Sequence, residues 1–300
     1  MRLDGIDGTH LFGFMAGLGT LALLDEHARQ QQLPPPRLHF DPMGTAEITG
    51  APLDPTALID AVFERIQAAR VFYERDLVAI KKPTDLNRAA FLELAATADR
   101  GQLAGLAGLA CCVGDEAVES SLCAANGASH QNLVQSIRDV LSLVEKSNIH
   151  AALFAPWRKQ YEVSDDSRKQ LGLGNRKPTL RLDPADERLY ALRLSNPTTT
   201  DDFKTEIGAQ ALAVPAFAQL PALPRARPVS VASRRLGNRV LFAWALWSTP
   251  ATLATVRSLL AAGIDQPDQL RARGAFMALR VARVSGSKGK LSFSPSEGVW

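Results

Sequence analysis

The chain has 300 residues and a mass of 32.4 kDa, with 46% hydrophobic and 22% charged residues, which excludes a disordered chain, a collagen or a disulfide scaffold. Its formal charge of +3 conceals a division: residues 224–300 carry 12 Lys and Arg against 3 Asp and Glu, a net of +9, leaving 22 against 28, a net of −6, in residues 1–223. Clustered cations of this kind point to a polyanion or an acidic protein surface as partner, since they raise a positive potential over one face.

Two apolar runs, Leu11–Leu24 and Leu103–Val113, are each shorter than the roughly 20 residues of a bilayer-spanning helix, and Gly13, Gly17 and Gly19 punctuate the first. No membrane contact is expected. Asp4 and Asp7 stand where a secretory leader would be basic, and no small-residue cleavage site follows, which predicts a cytoplasmic chain. The three cysteines, Cys111, Cys112 and Cys123, suit reduced buried thiols better than a disulfide framework.

In chain order, Met1–Ile6 reads as a strand and His10–Gln32 as a helix with Thr9 as N-cap, its apolar residues Leu11, Phe14, Leu18, Leu21 and Leu24 recurring at three and four. Gly13 and Gly17 share a face of that helix and predict a close backbone neighbour there. Pro34, Pro35 and Pro36 end it. Arg37–Phe40 and Ala46–Thr49 read as strands flanking the turn Asp41-Pro42-Met43-Gly44. A helix opens at Asp54-Pro55 and runs to about Lys82 on the stripe Leu58, Val62, Ile66 and Ala69. Another spans Thr84–Thr97, Gly101–Val113 is an interior apolar segment, Gly114–Gly127 a loop, and Ser129 caps a helix to Lys146.

Beyond Pro156 the periodicity is lost. Trp157–Pro178 reads as an irregular charged loop, followed by strands at Thr179–Leu182 and Arg188–Leu194 and a helix at Ile207–Gln219. Val229–Ala232, Arg239–Leu246, Ala275–Val284 and Leu291–Phe293 read as strands, and Pro250–Ala262 as a helix. The class is therefore α+β, with a helix-rich N-terminal half and mixed or antiparallel short strands with helices in the C-terminal half. Two domains are expected: 1–155, mainly helical and making subunit contacts, and 156–300, basic and touching nucleic acid.

Catalytic constellations are weak. Cys111, Cys112, Cys123 and His130 contain no CxxC knuckle, and adjacent cysteines cannot easily share one tetrahedral metal. Gly172-Leu173-Gly174 lacks the third glycine of a dinucleotide fingerprint, no phosphate loop is present, and Asp165-Asp166 and Asp201-Asp202 lack histidines at ligand spacing. No catalytic residue, metal or cofactor is assigned. Candidate nucleic-acid contacts are more numerous. Asn126, Ser129, His130 and Gln131 gather at a helix start, where free N–H groups favour an anion, although Ser129 alone would serve as a cap. Trp157, Arg158 and Lys159 interleave aromatic and cation, and Asn175, Arg176 and Lys177 lie in the same loop. Arg225–Arg239 holds five arginines and no acid, among them Arg234, Arg235 and Arg239. Arg271–Lys290 holds six basic residues and no acid, among them Arg280, Arg283, Lys288 and Lys290.

The opening Leu3-Asp4-Gly5-Ile6-Asp7-Gly8 with Phe12-Gly13-Phe14-Met15-Ala16-Gly17-Leu18-Gly19 resembles the start of accessory subunits of type I CRISPR effector complexes of the I-G (formerly I-U) kind. Asn126–Gln131 with Ile137-Arg138-Asp139, Pro156-Trp157, Leu180–Leu192, Gly208–Ala213 and Trp244–Pro250 continue the resemblance in order. It implies a large-subunit-like protein without catalysis of its own, which helps a guide-RNA assembly engage duplex DNA beside its adjacent motif. The implied partners are CRISPR RNA, target double-stranded DNA and the other subunits of the complex. Two other classes remain open on sequence: a thiol- or metal-dependent hydrolase or nuclease around Cys123 and His130, and an assembly protein whose basic face meets an acidic partner.

Overall fold

A helix formed by Leu11–Leu24 is apolar on every side, so it must lie inside rather than on a surface. In the computed structural model α1 (Leu11–Gln30) is buried continuously from Leu11 to Leu24, and the molecule is arranged around it. The structure describes residues 1–50, 54–73, 89, 93, 96, 110–113, 116–119, 130–157, 161–162, 166, 169, 179–180, 182, 204–220, 222–223, 230–231, 233–236, 239–285 and 291–300. The class is α+β with small antiparallel sheets.

Strands β1 (Arg2–Asp7), β2 (Arg37–Phe40) and β3 (Thr45–Thr49) form a sheet in the order β1-β3-β2, all neighbours antiparallel. β1 and β2 therefore run parallel with β3 inserted between them, and α1 is the crossover of a split βαβ unit. Leu3, Leu38, Phe40, Ala46 and Ile48 face α1 and are buried, while Arg2, His39 and Glu47 alternate onto the other face. The expected N-cap is displaced by one residue. His10 occupies the cap position without a side-chain cap, because the Thr9 hydroxyl is already committed to Asp7.

α2 (Pro55–Tyr73) buries the expected stripe Leu58, Val62, Ile66 and Ala69, and the Asp54 carboxylate accepts a hydrogen bond from the Ala57 N–H at 3.0 Å. Ala89, Glu93 and Ala96 are helical, and the rest of the helices expected to Lys82 and over Thr84–Thr97 lies outside the described residues. The apolar segment Gly101–Val113 ends in β4 (Ala110–Val113), and the expected loop Gly114–Gly127 instead contains its antiparallel partner β5 (Glu116–Glu119). The expected helix to Lys146 is two helices, α3 (His130–Leu143) and α4 (Lys146–Phe154). The break is a capping box: the Glu145 N–H donates to Asn148 Oδ1 at 2.9 Å while the Glu145 side chain accepts from the first turn of α4. α4 covers the outer edge of β1, where a Cβ on Gly5 would overlap the Ala152 carbonyl oxygen.

In the second half, β6 (Tyr161–Glu162) pairs with β7 (Lys204–Thr205). Thr179, Leu180 and Leu182 belong to no strand; instead the Leu180 N–H donates to the buried Gln210 Oε1 at 2.7 Å. α5 (Ile207–Ala213) lies against α1 and passes into a 3₁₀ turn at Val214–Gln219, because Pro215 has no N–H to continue the α ladder. β8 (Ala222–Leu223) pairs with β9 (Ser230–Val231). β10 (Ser233–Leu236) and β11 (Arg239–Trp247) begin a second antiparallel sheet. Pro250 does not open a helix. β12 (Ala251–Thr252) first adds to β2, with Ala251 opposite Leu38, and Thr252 then caps α6 (Leu253–Ala262). α7 (Pro267–Ala272) leads into β13 (Ala275–Ser285), which pairs with β11, β14 (Leu291–Phe293) and β15 (Glu297–Gly298).

The halves divided at 155/156 in the sequence thus share a sheet, and they also share a core. Phe14 stacks on Trp244 at 5.6 Å and meets Trp247 edge-on at 6.3 Å, and Trp247 meets Phe40 at 5.2 Å. Both indoles are satisfied on the first half, Trp244 donating to Gly8 O at 2.9 Å and Trp247 to Leu38 O at 2.7 Å. A register shift makes this possible. Leu246 pairs with Met277 and Trp247 with Ala275, which leaves Phe276 of β13 as the extra residue of a bulge at the point where Leu246 and Trp247 are both buried.

Candidate nucleic-acid interface

Residues on the second sheet alternate along much of its length, though Ala245 and Ala278, paired on the other face, are buried as well. Phe242, Trp244, Leu246, Leu279, Val281 and Phe293 are buried, with Phe242 and Phe293 edge-on at 5.1 Å. Leu241, Ala243, Arg280 and Ala282 form the opposite, partly open face. Register brings together arginines that are far apart in sequence. Arg234 stands opposite Leu241, which stands opposite Ala282; Arg239 stands opposite Leu236; and Arg280 stands opposite Ala243. With neighbouring strands about 4.8 Å apart, β10, β11 and β13 carry five arginines on three adjacent strands.

These five do not form a single row. Arg280 lies on the open face, whereas Arg283, three positions on and opposite Phe293, sits at the margin of the packed face and is half-buried. The strands of this sheet contain one acid, Glu297, and it stands directly opposite Arg280. Both the Nε and an Nη of Arg280 lie 3.3 Å from one Glu297 carboxylate oxygen, in the open at 40% and 66% side-chain exposure.

Trp157 is tied to the core. Its ring packs on Phe12 at 4.8 Å and its indole N–H donates to Ala152 O at 2.9 Å, closing the end of α4 against α1. His130 and Gln131 are the first residues of α3. Asn126, Ser129, Arg158, Lys159, Asn175, Arg176, Lys177, Lys288 and Lys290 lie outside the described residues, as does Cys123. Cys111 and Cys112 are strand positions opposite Val118 and Ala117.

Two polar clusters escaped the sequence reading. On the first sheet Arg2 reaches Asp4 at 2.7 Å, Asp41 at 2.9 Å and Glu47 at 4.0 Å, while His39 meets Glu47 at 3.3 Å. The hydrogen bond to Asp4, opposed by partial desolvation and aided by the charges of Asp41, Asp4 and Glu47, raises the Arg2 guanidinium above its ordinary value. At the start of α1, Asp7 accepts from the Thr9 N–H at 2.8 Å and the Thr9 hydroxyl at 2.6 Å, and its other oxygen lies 3.1 Å from His10 Nε2. Partial burial pushes the Asp7 carboxyl up, but the bonds from His10 and Thr9 outweigh it and hold the group below the usual carboxylate value. The Asp-x-x-His spacing at a helix start was the available signal.

The open face of the first sheet carries Arg2, Asp4, His39, Thr45 and Glu47, and its one aromatic ring, His39, lies 3.3 Å from Glu47. Among the described residues no helix is long and apolar enough to cross a membrane. No protein-family model matches the chain, and no curated protein is significantly similar to it.

Proposed function

We propose that the chain is a noncatalytic subunit of an RNA-guided DNA-binding complex of the type I CRISPR kind, with its second sheet and neighbouring basic segments contacting the duplex backbone beside the guide RNA. The observation that carries this reading is the composition of one sheet: five arginines on three adjacent strands against a single acid. Electrostatic attraction of that kind acts on phosphates regardless of sequence, which suits a protein that leaves base reading to the guide. The short opening motif and the resemblance of the later segments support this reading of the assembly.

Two measurements test it. Expressed with its neighbouring genes, the chain should purify with other proteins and a discrete small RNA. In that assembly an Arg234→Ala/Arg235→Ala double variant should weaken duplex binding and flatten its salt dependence by about 0.9 in log–log slope per lost phosphate contact. Recovery of the chain alone, or an unchanged affinity and slope, overturns the proposal.

A further inference from the structure

Glu297 meets an arginine of the second sheet, Arg280, in an exposed ion pair. It is the single acid in strands that hold five arginines, and pairing of β15 with β13 puts it across from Arg280. The sheet neighbours of Arg280 are small: Ala243 stands opposite it, and Ala278 and Ala282 flank it at alternate positions of β13. The guanidinium turns both its Nε and an Nη toward one carboxylate oxygen, the same edge with which an arginine approaches a phosphate oxygen.

The backbone carrying Glu297 is secured independently of this ion pair. The Val299 N–H donates to Ala278 O at 2.8 Å, the Ala278 N–H to Trp300 O at 3.1 Å, and the Trp300 indole to Ile264 O at 3.3 Å. The Arg271 guanidinium lies 4.8 Å over the Trp300 ring. Gly298–Trp300 therefore stay anchored while the Glu297 side chain, two-thirds exposed, is able to swing away.

We infer that Glu297 is a built-in stand-in for a backbone phosphate, which duplex DNA must displace from Arg280 before that arginine contacts it. This rests on the proposed function above and adds a regulatory element to it: the anchored segment lowers the affinity of the sheet for DNA and favours only partners with enough other contacts to complete the exchange. An exposed ion pair is weak, so the effect is modest, about two- to fivefold in affinity.

A double-mutant cycle reads it directly, using the full chain and fluorescein-labelled duplex DNA of mixed sequence at low and physiological salt. Glu297→Gln is expected to tighten binding about two- to fivefold in the parent chain and to have no effect in an Arg280→Ala background. Equal tightening in both backgrounds would mean general charge repulsion and overturns the inference. An unchanged affinity for Glu297→Gln, with binding still weakened by Arg280→Ala, overturns it while leaving the phosphate-contact reading standing. If neither Arg280→Ala nor Arg234→Ala/Arg235→Ala alters binding, the phosphate-contact reading fails and the inference falls with it.

Discussion

In the sheet β1-β3-β2-β12 the cation Arg2 is met by Asp4, Asp41 and Glu47, and His39 is met by Glu47, so charge is answered within a few ångströms. In the sheet β10-β11-β13-β14, with β15 beside β13, the strands carry five arginines and one acid. Both faces are rich in charge, yet only the second carries an excess. Capacity to attract a polyanion depends on that local excess rather than on polarity as such, because a closely paired charge presents a dipole whose field falls off quickly. The two sheets nevertheless share one support, since α1 packs under the first and reaches the second through Phe14, Trp244 and Trp247.

The strongest way to break the comparison is to cut the seam between the sheets. Trp247→Ala should cost about 3–5 kcal/mol by thermal or denaturant unfolding, since it empties a fully buried site between Phe14 and Phe40. Trp247→Phe should cost less, keeping most of the ring volume but leaving the Leu38 carbonyl without its donor. A Trp247→Ala loss under about 1 kcal/mol would mean the sheets are joined elsewhere.

Next in size is the packing of α1. A Cβ on Gly19 would overlap the Leu212 carbonyl oxygen of α5, and one on Gly13 the Asp7 carbonyl oxygen, both backbone atoms that cannot turn aside. At Gly17 the nearest atom is a side-chain methyl of Ile6 at 3.1 Å. Gly19→Ala and Gly13→Ala should therefore each cost about 1–3 kcal/mol or more, whereas Gly17→Ala should be close to neutral, its strain offset by helix propensity of up to about 1 kcal/mol. Equal losses at Gly17 and Gly19 would contradict this ranking.

A smaller effect belongs to the Asp7 cluster. Its carboxyl titrates below the ordinary value in the folded chain, so it adds stability that is complete at neutral pH and is lost as pH falls from about 4, the unfolded value, through the folded one. Asp7→Asn should cost about 1 kcal/mol at pH 7, a gap that closes in acid. A gap that stays constant down to pH 2 would show that the charge on Asp7 contributes nothing.

The smallest expected effect sharpens the contrast in charge. Arg2→Ala, removed from a paired network, should leave the salt dependence of duplex binding unchanged, whereas Arg280→Ala should flatten it. Equal changes would mean that the first sheet also faces the duplex.

What the sequence determined by itself was local. Apolar spacing located α1 and α2 and bounded β2, β11, β13 and β14 to within a residue or two, because periodicity records which side of an element is buried. The excess charge of residues 224–300 was likewise countable before any fold was known. The glycine reading was half right: Gly13 is closely approached, but the tighter contact is at Gly19, toward a helix nearly two hundred residues away in the chain. β12 was hidden by a proline that also suits a helix start, and β5 by residues with no alternation of hydrophobic and polar. Tertiary structure alone decided the register: that a bulge at Phe276 lies opposite the buried Leu246 and Trp247, that Ala251 joins β2, and that Glu297 stands across from Arg280, seventeen positions away. Local propensity cannot choose among strand partners, since every strand edge offers the same backbone donors and acceptors. The choice falls to the packing that buries Trp244 and Trp247 around Phe14, and the side-chain pairs across each sheet follow from it.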